Sequence, residues 1–278
     1  MRKKRKADFT TVILILVLLA GLSLLLYPTV ANFWNSMHAT RAIAGYAEQV
    51  ANMDDSEFEQ MYLDAVEYNQ SLNKRSNSFV LDEEQQAEYE SLLNISGGGV
   101  MGYIDIESLD VSLPIYHGTS EGVLQVAVGH LDWTSLPVGG TSTHCVLSGH
   151  RGLPSAKLFT DLDQLREGDV FMLNILNETL TYEIDQIRIV LPQETEELII
   201  KEGKDYCTLI TCTPYGINTH RLLVRGHRIE TAKAAAHVVS EAVRIDPLIT
   251  GTVASIPILL LLLIGVFLPG KKRRRYRR

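Results

Sequence analysis

Cysteine, proline and glycine are all scarce in this chain of 278 residues. Three Cys are too few for a fold built on disulfides. Nine Pro and 20 Gly exclude a collagen-like or low-complexity chain. No HExxH and no CxxC…CxxC spacing occurs, and His38, His117, His130, His144, His220, His227 and His237 lack a second ligand at a recognisable metal spacing. Neither a metal nor a cofactor is therefore expected. Basic residues are also missing from the interior. Twelve of the 26 Lys and Arg lie in residues 2–6 and 271–278, which leaves 14 against 32 acidic residues beyond Asp8, a balance of about −18. An interior that acidic disfavours nucleic-acid binding.

What is present is apolar sequence in two blocks. Residues Val12 to Ala31 read VILILVLLAGLSLLLYPTVA and carry no charge. Twenty residues at about 1.5 Å rise match a hydrocarbon core of about 30 Å. A second uncharged stretch runs from Leu248 to Leu268, with Gly251 and Pro257 inside it, which membrane helices tolerate. Basic blocks flank both, MRKKRK at the start and KKRRRYRR at the end. The positive-inside rule puts both termini in the cytoplasm and the intervening chain outside. Thr29-Val30-Ala31 would serve as a signal-peptide cleavage site, but the apolar run is long for that role and favours an anchor. The expected order is a basic tail (1–11), a transmembrane helix (12–31), a helical region with a connector (32–95), a β-rich domain (96–230), a helical linker (231–247), a second transmembrane helix (248–268) and a basic tail (269–278).

Between the spans, Phe58, Met61, Tyr62, Ala65, Val66 and Leu72 recur at helical spacing and predict a packing face. Ser56 with Glu59 fits a capping box for that helix. Residues 73–94 are polar and acidic and read as an exposed connector, partly helical. After Ser96-Gly97-Gly98-Gly99 the texture changes to short apolar runs between turns. Strands are expected over 100–104, 110–115, 143–147, 170–175, 180–187, 206–211 and 222–228, with a hairpin turn near Asn177-Glu178. A helix capped by Ser155, with Leu158, Phe159, Leu162 and Leu165 on its apolar stripe and Gly168 at its end, interrupts them. That many strands in about 135 residues suggest a closed or nearly closed barrel.

Three residues could carry chemistry. An odd cysteine count leaves at least one thiol unpaired within the chain. Cys212 ends the run Thr208-Leu209-Ile210-Thr211 and precedes the turn Pro214-Tyr215-Gly216. A strand-end thiol suits a nucleophile, and it equally suits a small core residue. His150 stands in Ser148-Gly149-His150-Arg151-Gly152, just past a strand; glycines there let a backbone bend or a ligand approach, though a loop His is commonly just solvated. Arg221 lies nine residues after Cys212, and a hairpin would return it to the thiol, where its fork of donors could steady an oxyanion; the alternative is a charged strand edge. A thiol, an imidazole and a cation together make an acyl-transfer site. The order His, Cys, Arg does not fit a papain-like peptidase, which has Cys before His. Cys145 and Cys207 each precede one of these residues by five positions, and neighbouring strands would bring their thiols close.

At these residues the chain resembles the sortases, most closely class C, the pilus-assembly sortases. The text that carries the likeness is VLSGHRGLPSAKLFTDLDQLREGD (146–169) and TLITCTPYGINTHRLLVRGHR (208–228), with LPIYHGTSE (113–121) and VGHLDWTSLPVGG (128–140). The resemblance implies a mainly β fold, an eight-stranded sortase barrel with N-terminal helices and flanking transmembrane helices. It implies Cys212 as nucleophile, His150 as general acid/base and Arg221 as substrate and oxyanion partner. It further implies pilin subunits with Leu-Pro-x-Thr-Gly-like sorting signals as substrates and a pilin lysine as acceptor. Cell-wall anchoring or hydrolysis by the same residues, and display of an idle barrel as a scaffold, are the alternatives. One departure stands out. Pilus sortases commonly carry an Asp-Pro-aromatic lid upstream of the barrel, whereas Asp82 is followed by Glu83 and the only Asp-Pro is Asp246-Pro247. Phe79 is the remaining candidate for covering the site.

Overall fold

A computed structural model describes residues 9–72, 80–95 and 97–231. The basic tails, the second apolar stretch with its linker, and Phe79 with residues 73–78 of the connector lie outside the described residues. The first helix, α1 (Phe9–Ala51), contains the N-terminal apolar run. Its most apolar 18 residues have a mean hydropathy of 2.5 and none is buried, so by length and composition it can cross a membrane. Pro28 lies inside it and removes one backbone donor, which a spanning helix can absorb. The apolar part up to Thr29 is a unit separate from the body that begins at Val30.

Within that body, the lower half of α1 buries Ala39, Tyr46 and Val50, which the spacing of 7 and 4 sets on one helix face. Helix α2 (Asp55–Leu72) starts one residue before the predicted cap. Asp54 is the capping residue: its carboxylate accepts from the backbone N–H of Ser56 at 3.0 Å and Glu57 at 2.8 Å. A carboxylate also favours the positive helix start, so it displaces Ser56 from the role. The predicted apolar stripe of α2 is a packing face. Ala65 is fully buried, and Phe58, Met61, Tyr62, Val66 and Leu72 pack on the same core. Asn69 adds a two-way amide bond, accepting from Leu136 N at 2.7 Å and donating to Leu136 O at 3.1 Å. The described end of the connector is helix α3 (Glu83–Ser91), with a capping box between Asp82 and Gln85. Tyr89 of α3 is buried; its hydroxyl meets His130 Nδ1 at 3.0 Å and accepts from Gly118 N at 2.9 Å. Burial pushes its phenol above the ordinary value.

Eight strands close a barrel: β1 (Val100–Ile106), β2 (Val111–His117), β3 (Val128–His130), β4 (Thr143–Ser148), β5 (Val170–Ile175), β6 (Glu178–Val190), β7 (Asp205–Thr213) and β8 (His220–Ile229). The order around it is β1-β2-β3-β4-β7-β8-β6-β5, and β5 pairs back onto β1. Two contacts are parallel, β2 with β3 and β4 with β7; the rest are antiparallel. Ile104, Ile115, Leu147, Phe171, Leu173, Leu209 and Val224 fill the interior. Strands β4 and β7 are also covered outside, where Val146, Ile210 and Leu223 pack with Leu198, Leu131 and Trp133. Burial on both faces explains why neither strand alternates regularly between buried and exposed positions.

The chain between β4 and β5 is not the predicted helix. It forms successive turns and one 3-10 turn at Leu162–Gln164, and Leu158 takes a positive φ of 39°. Leu158, Phe159, Leu162 and Leu165 are all buried, so the turns deliver to the core the side chains that suggested a helix. A short helix α4 (Glu121–Leu124) precedes β3.

Candidate active site

The site is built where β4 and β7 end side by side. Their parallel register pairs Cys145 with Cys207 and runs on to Ser148 with Ile210. The ladder continues past the end of β4: Gly149 N donates to Ile210 O at 3.0 Å and Thr211 Oγ1 donates to Gly149 O at 2.8 Å. Two further residues along each chain come His150 and Cys212, so the parallel register brings them level. On the other side of β7, Cys212 is the direct antiparallel partner of Arg221 on β8. Direct cross-strand partners have Cβ atoms about 4.5–5.5 Å apart on one face. The three residues singled out in the sequence therefore come from three elements to one end of the barrel. Cys212 is a free thiol of intermediate exposure, while Cys145 and Cys207 are free and buried.

Glycines shape the loop that carries His150. A Cβ on Gly149 would lie 2.6 Å from the ring of Phe159, and one on Gly152, at φ +77°, would touch the ring of Tyr215 at 3.0 Å. Only the missing side chains let the aromatic rings close on this backbone. The loop is tied further by Phe159 N donating to His150 O at 3.1 Å and by Gly152 N donating to Thr160 Oγ1 at 3.2 Å. Arg151 pairs with Asp163, and its guanidinium lies 5.8 Å from the centroid of the Tyr215 ring. Tyr215 follows Cys212 by three residues, so the Arg151 contact joins the two loops.

His150 is 29% exposed, and its Nε2 lies 3.9 Å from Oε2 of Glu121 at the start of α4. Glu121 was visible in the sequence only as the end of the LPIYHGTSE segment. The Arg221 guanidinium donates from Nη1 to the carbonyls of His220 at 3.0 Å and Asn218 at 3.3 Å, which holds it against its own turn. Tyr215 and Ile217 stand exposed on the same turn. Among the described residues no group of three or more His, Cys, Asp or Glu is placed to hold a metal. A solvent-reachable thiol with an imidazole and a guanidinium on neighbouring elements suits thiol-based acyl transfer.

A closed eight-stranded barrel with a thiol at one strand end defines the class, and comparison with known proteins agrees. Residues 104–229 match the sortase domain. Sortase C1 from Streptococcus agalactiae is 51% identical, covers 69% of this chain and all of its own, and superposes with a TM-score of 0.68. A Clostridium perfringens sortase C, solved with the C-terminal cell wall sorting motif, is 47% identical over 69% of this chain and all of its own, with a TM-score of 0.62. Sortase C from Streptococcus pneumoniae is 42% identical over 69% of this chain and 97% of its own, at a TM-score of 0.61. The chain belongs to the sortase family of cysteine transpeptidases, and its structural neighbours are class C sortases.

Proposed function

We propose that this sortase joins pilin subunits, with Cys212 as nucleophile, His150 as general acid/base and Arg221 as the group that holds the substrate carbonyl and its oxyanion. The observation that carries the assignment is the register, which sets Cys212 opposite Arg221 and level with His150. Cys212 Sγ attacks the Thr carbonyl carbon of a Leu-Pro-x-Thr-Gly-like signal. The C–S bond forms, the Thr–Gly C–N bond breaks, and His150 gives its proton to the leaving glycine amine. A pilin lysine amine then attacks the thioester and yields a proton to His150, the C–S bond breaks, and an isopeptide bond remains. A guanidinium fixed beforehand stabilises charge that develops on the carbonyl oxygen.

The pilin reading is supported by the class C neighbours, one solved with a sorting motif and one described in terms of pilin substrate specificity. The apolar part of α1 and the basic block before it support an N-terminal anchor with the terminus in the cytoplasm. Residues 248–268 would add a second span, leaving both termini inside and the barrel outside.

The test is the full chain in lipid nanodiscs with a Leu-Pro-x-Thr-Gly peptide, followed by intact mass. A covalent adduct that vanishes in Cys212→Ala is expected. An adduct that persists in that variant, or none in the wild type, would overturn the nucleophile. Offering a lysine-bearing pilin fragment, a peptidoglycan-stem amine or water alone identifies the acceptor; preference for either of the latter two would replace the pilin reading.

A further inference from the structure

The loop that carries His150 is fastened from outside the barrel by the helix that leaves the N-terminal apolar run. Within the loop, Leu153 and Ala156 form an isolated antiparallel bridge around Pro154 and Ser155. Ser155 presents its O from inside this turn and Lys157 its N just past it, an acceptor and a donor two positions apart. Both groups need a hydrogen-bond partner outside the turn. Two side chains of α1 supply it. Asn32 Oδ1 accepts from Lys157 N at 2.7 Å, and Asn35 Nδ2 donates to Ser155 O at 2.9 Å. Because Lys157 N can only donate and Ser155 O can only accept, the partners themselves fix which end of each amide faces the loop.

Asn32 and Asn35 are three apart and share one helix face. The same face, farther down, buries Ala39, Tyr46 and Val50. Tyr46 is bolted to the barrel: its hydroxyl donates to Met101 O at 2.9 Å and accepts from Leu176 N at 2.7 Å. Fourteen residues of helix, about 21 Å, thus join a fixed point on the barrel to the His150 loop. The residue after Lys157 is Leu158, held at φ +39°, a conformation that persists only where its surroundings over-determine it. Phe159, next in line, donates to His150 O.

We propose that Asn32 and Asn35 are positioning residues for acyl transfer, fastening α1 to the 153–159 turn and so holding His150 where it must exchange protons. The proposal rests on the role given to His150 above. Misplacing a catalytic group by about 1 Å can cost on the order of 100-fold in rate, so loss of either bond should show in turnover.

The substitution pair Asn32→Asp and Asn35→Asp tests it in the full chain in nanodiscs. Aspartate at 32 keeps the acceptor that Lys157 needs. At 35 it removes the donor and turns a carboxylate toward a carbonyl. Asn35→Asp and Asn32→Leu should each lower kcat about 10-fold with KM within about twofold, and shift the limb of the pH profile that follows His150. Asn32→Asp should restore the rate lost in Asn32→Leu. Asn69→Ala, which unfastens α2 from Leu136 instead, should lower the melting temperature without that kcat loss or pH shift. Hydrogen exchange reads the fastening without activity: the Lys157 amide should be slow in the wild type and in Asn32→Asp, and fast in Asn32→Leu. A slow Lys157 amide in Asn32→Leu overturns the contact. A fast amide with unchanged kcat overturns the positioning role while leaving the function intact. Absence of any Cys212 adduct in the wild type overturns the function itself.

Discussion

Cys145 and Cys207 are register partners on the parallel strands β4 and β7, both free and both buried in the barrel core. Burial pushes the Cys207 thiol well above its ordinary range, so it stays a neutral, unreactive group. Only Cys212 has solvent access. A maleimide added to the native protein should therefore modify one thiol quickly, and Cys212→Ala should abolish that fast phase. The remaining two should react only after unfolding. Mass spectra showing two or three rapid additions to native protein would contradict the burial of the pair.

Gly149→Ala would push a methyl group to 2.6 Å from the Phe159 ring. Overpacking of this kind costs about 1–3 kcal/mol, so the melting temperature should fall by several degrees. Gly122→Ala meets no atom within 4 Å and should leave it unchanged or slightly raised, since alanine is the better helix former. Scanning calorimetry of both variants decides whether packing, rather than glycine loss in general, governs the first site.

Arg151 ties the His150 loop to Tyr215 on the Cys212 turn and to Asp163. Arg151→Ala should lower kcat about 10-fold, because both loops lose a common brace. Arg151→Lys should recover little, since an ammonium cannot stack on the ring and pair in a fork at once. Equal recovery by lysine would mean that charge alone matters.

His144 is buried between β4 and the chain after β6, with Nδ1 3.2 Å from Ile199 O and Nε2 2.7 Å from Thr208 Oγ1. Burial, reinforced by nearby Arg225 and Lys201, depresses its pKa from 6.5 to about 4. The unfolded chain therefore binds a proton that the folded protein refuses between those values. This neutral histidine contributes roughly 3 kcal/mol of stability that is fully present above about pH 6.5 and is lost as pH falls toward 4. Melting curves from pH 7.5 to 4.5 should show a decline that is shallower in His144→Gln. Parallel declines in the two proteins would remove His144 as the cause.

Much of this architecture was legible in the chain because the barrel strands alternate or run apolar between turns. Strand β3 was not, since it has three residues, all buried, and too short a run for any period. Leu158, Phe159, Leu162 and Leu165 misled by matching helical spacing, when a left-handed residue and tight turns reach the same burial. Asp54 caps α2 although the Ser56-Glu59 spacing is the more familiar capping signal. For the site, the Cys212 to Arg221 spacing foretold a hairpin, and the two are direct partners. The neighbourhood of His150 and Cys212 followed from no local signal. It depends on a parallel pairing across 62 residues of sequence, and such non-local contacts leave no periodic trace. The amides of Asn32 and Asn35 were equally silent, being two ordinary polar residues after an apolar run.

That parallel pairing also sets a timetable for the newly made chain. Between β4 and β7 come β5 and β6, which lie elsewhere around the barrel. The polypeptide must emerge through both before β7 can return beside β4, and Arg221 arrives later still on β8. Bringing such distant segments together carries a loop-closure cost and is slow. Under the proposed assignment, the nascent enzyme thus carries its imidazole first, its thiol second and its guanidinium last. On that order the full site exists only once the final strand locks the ring.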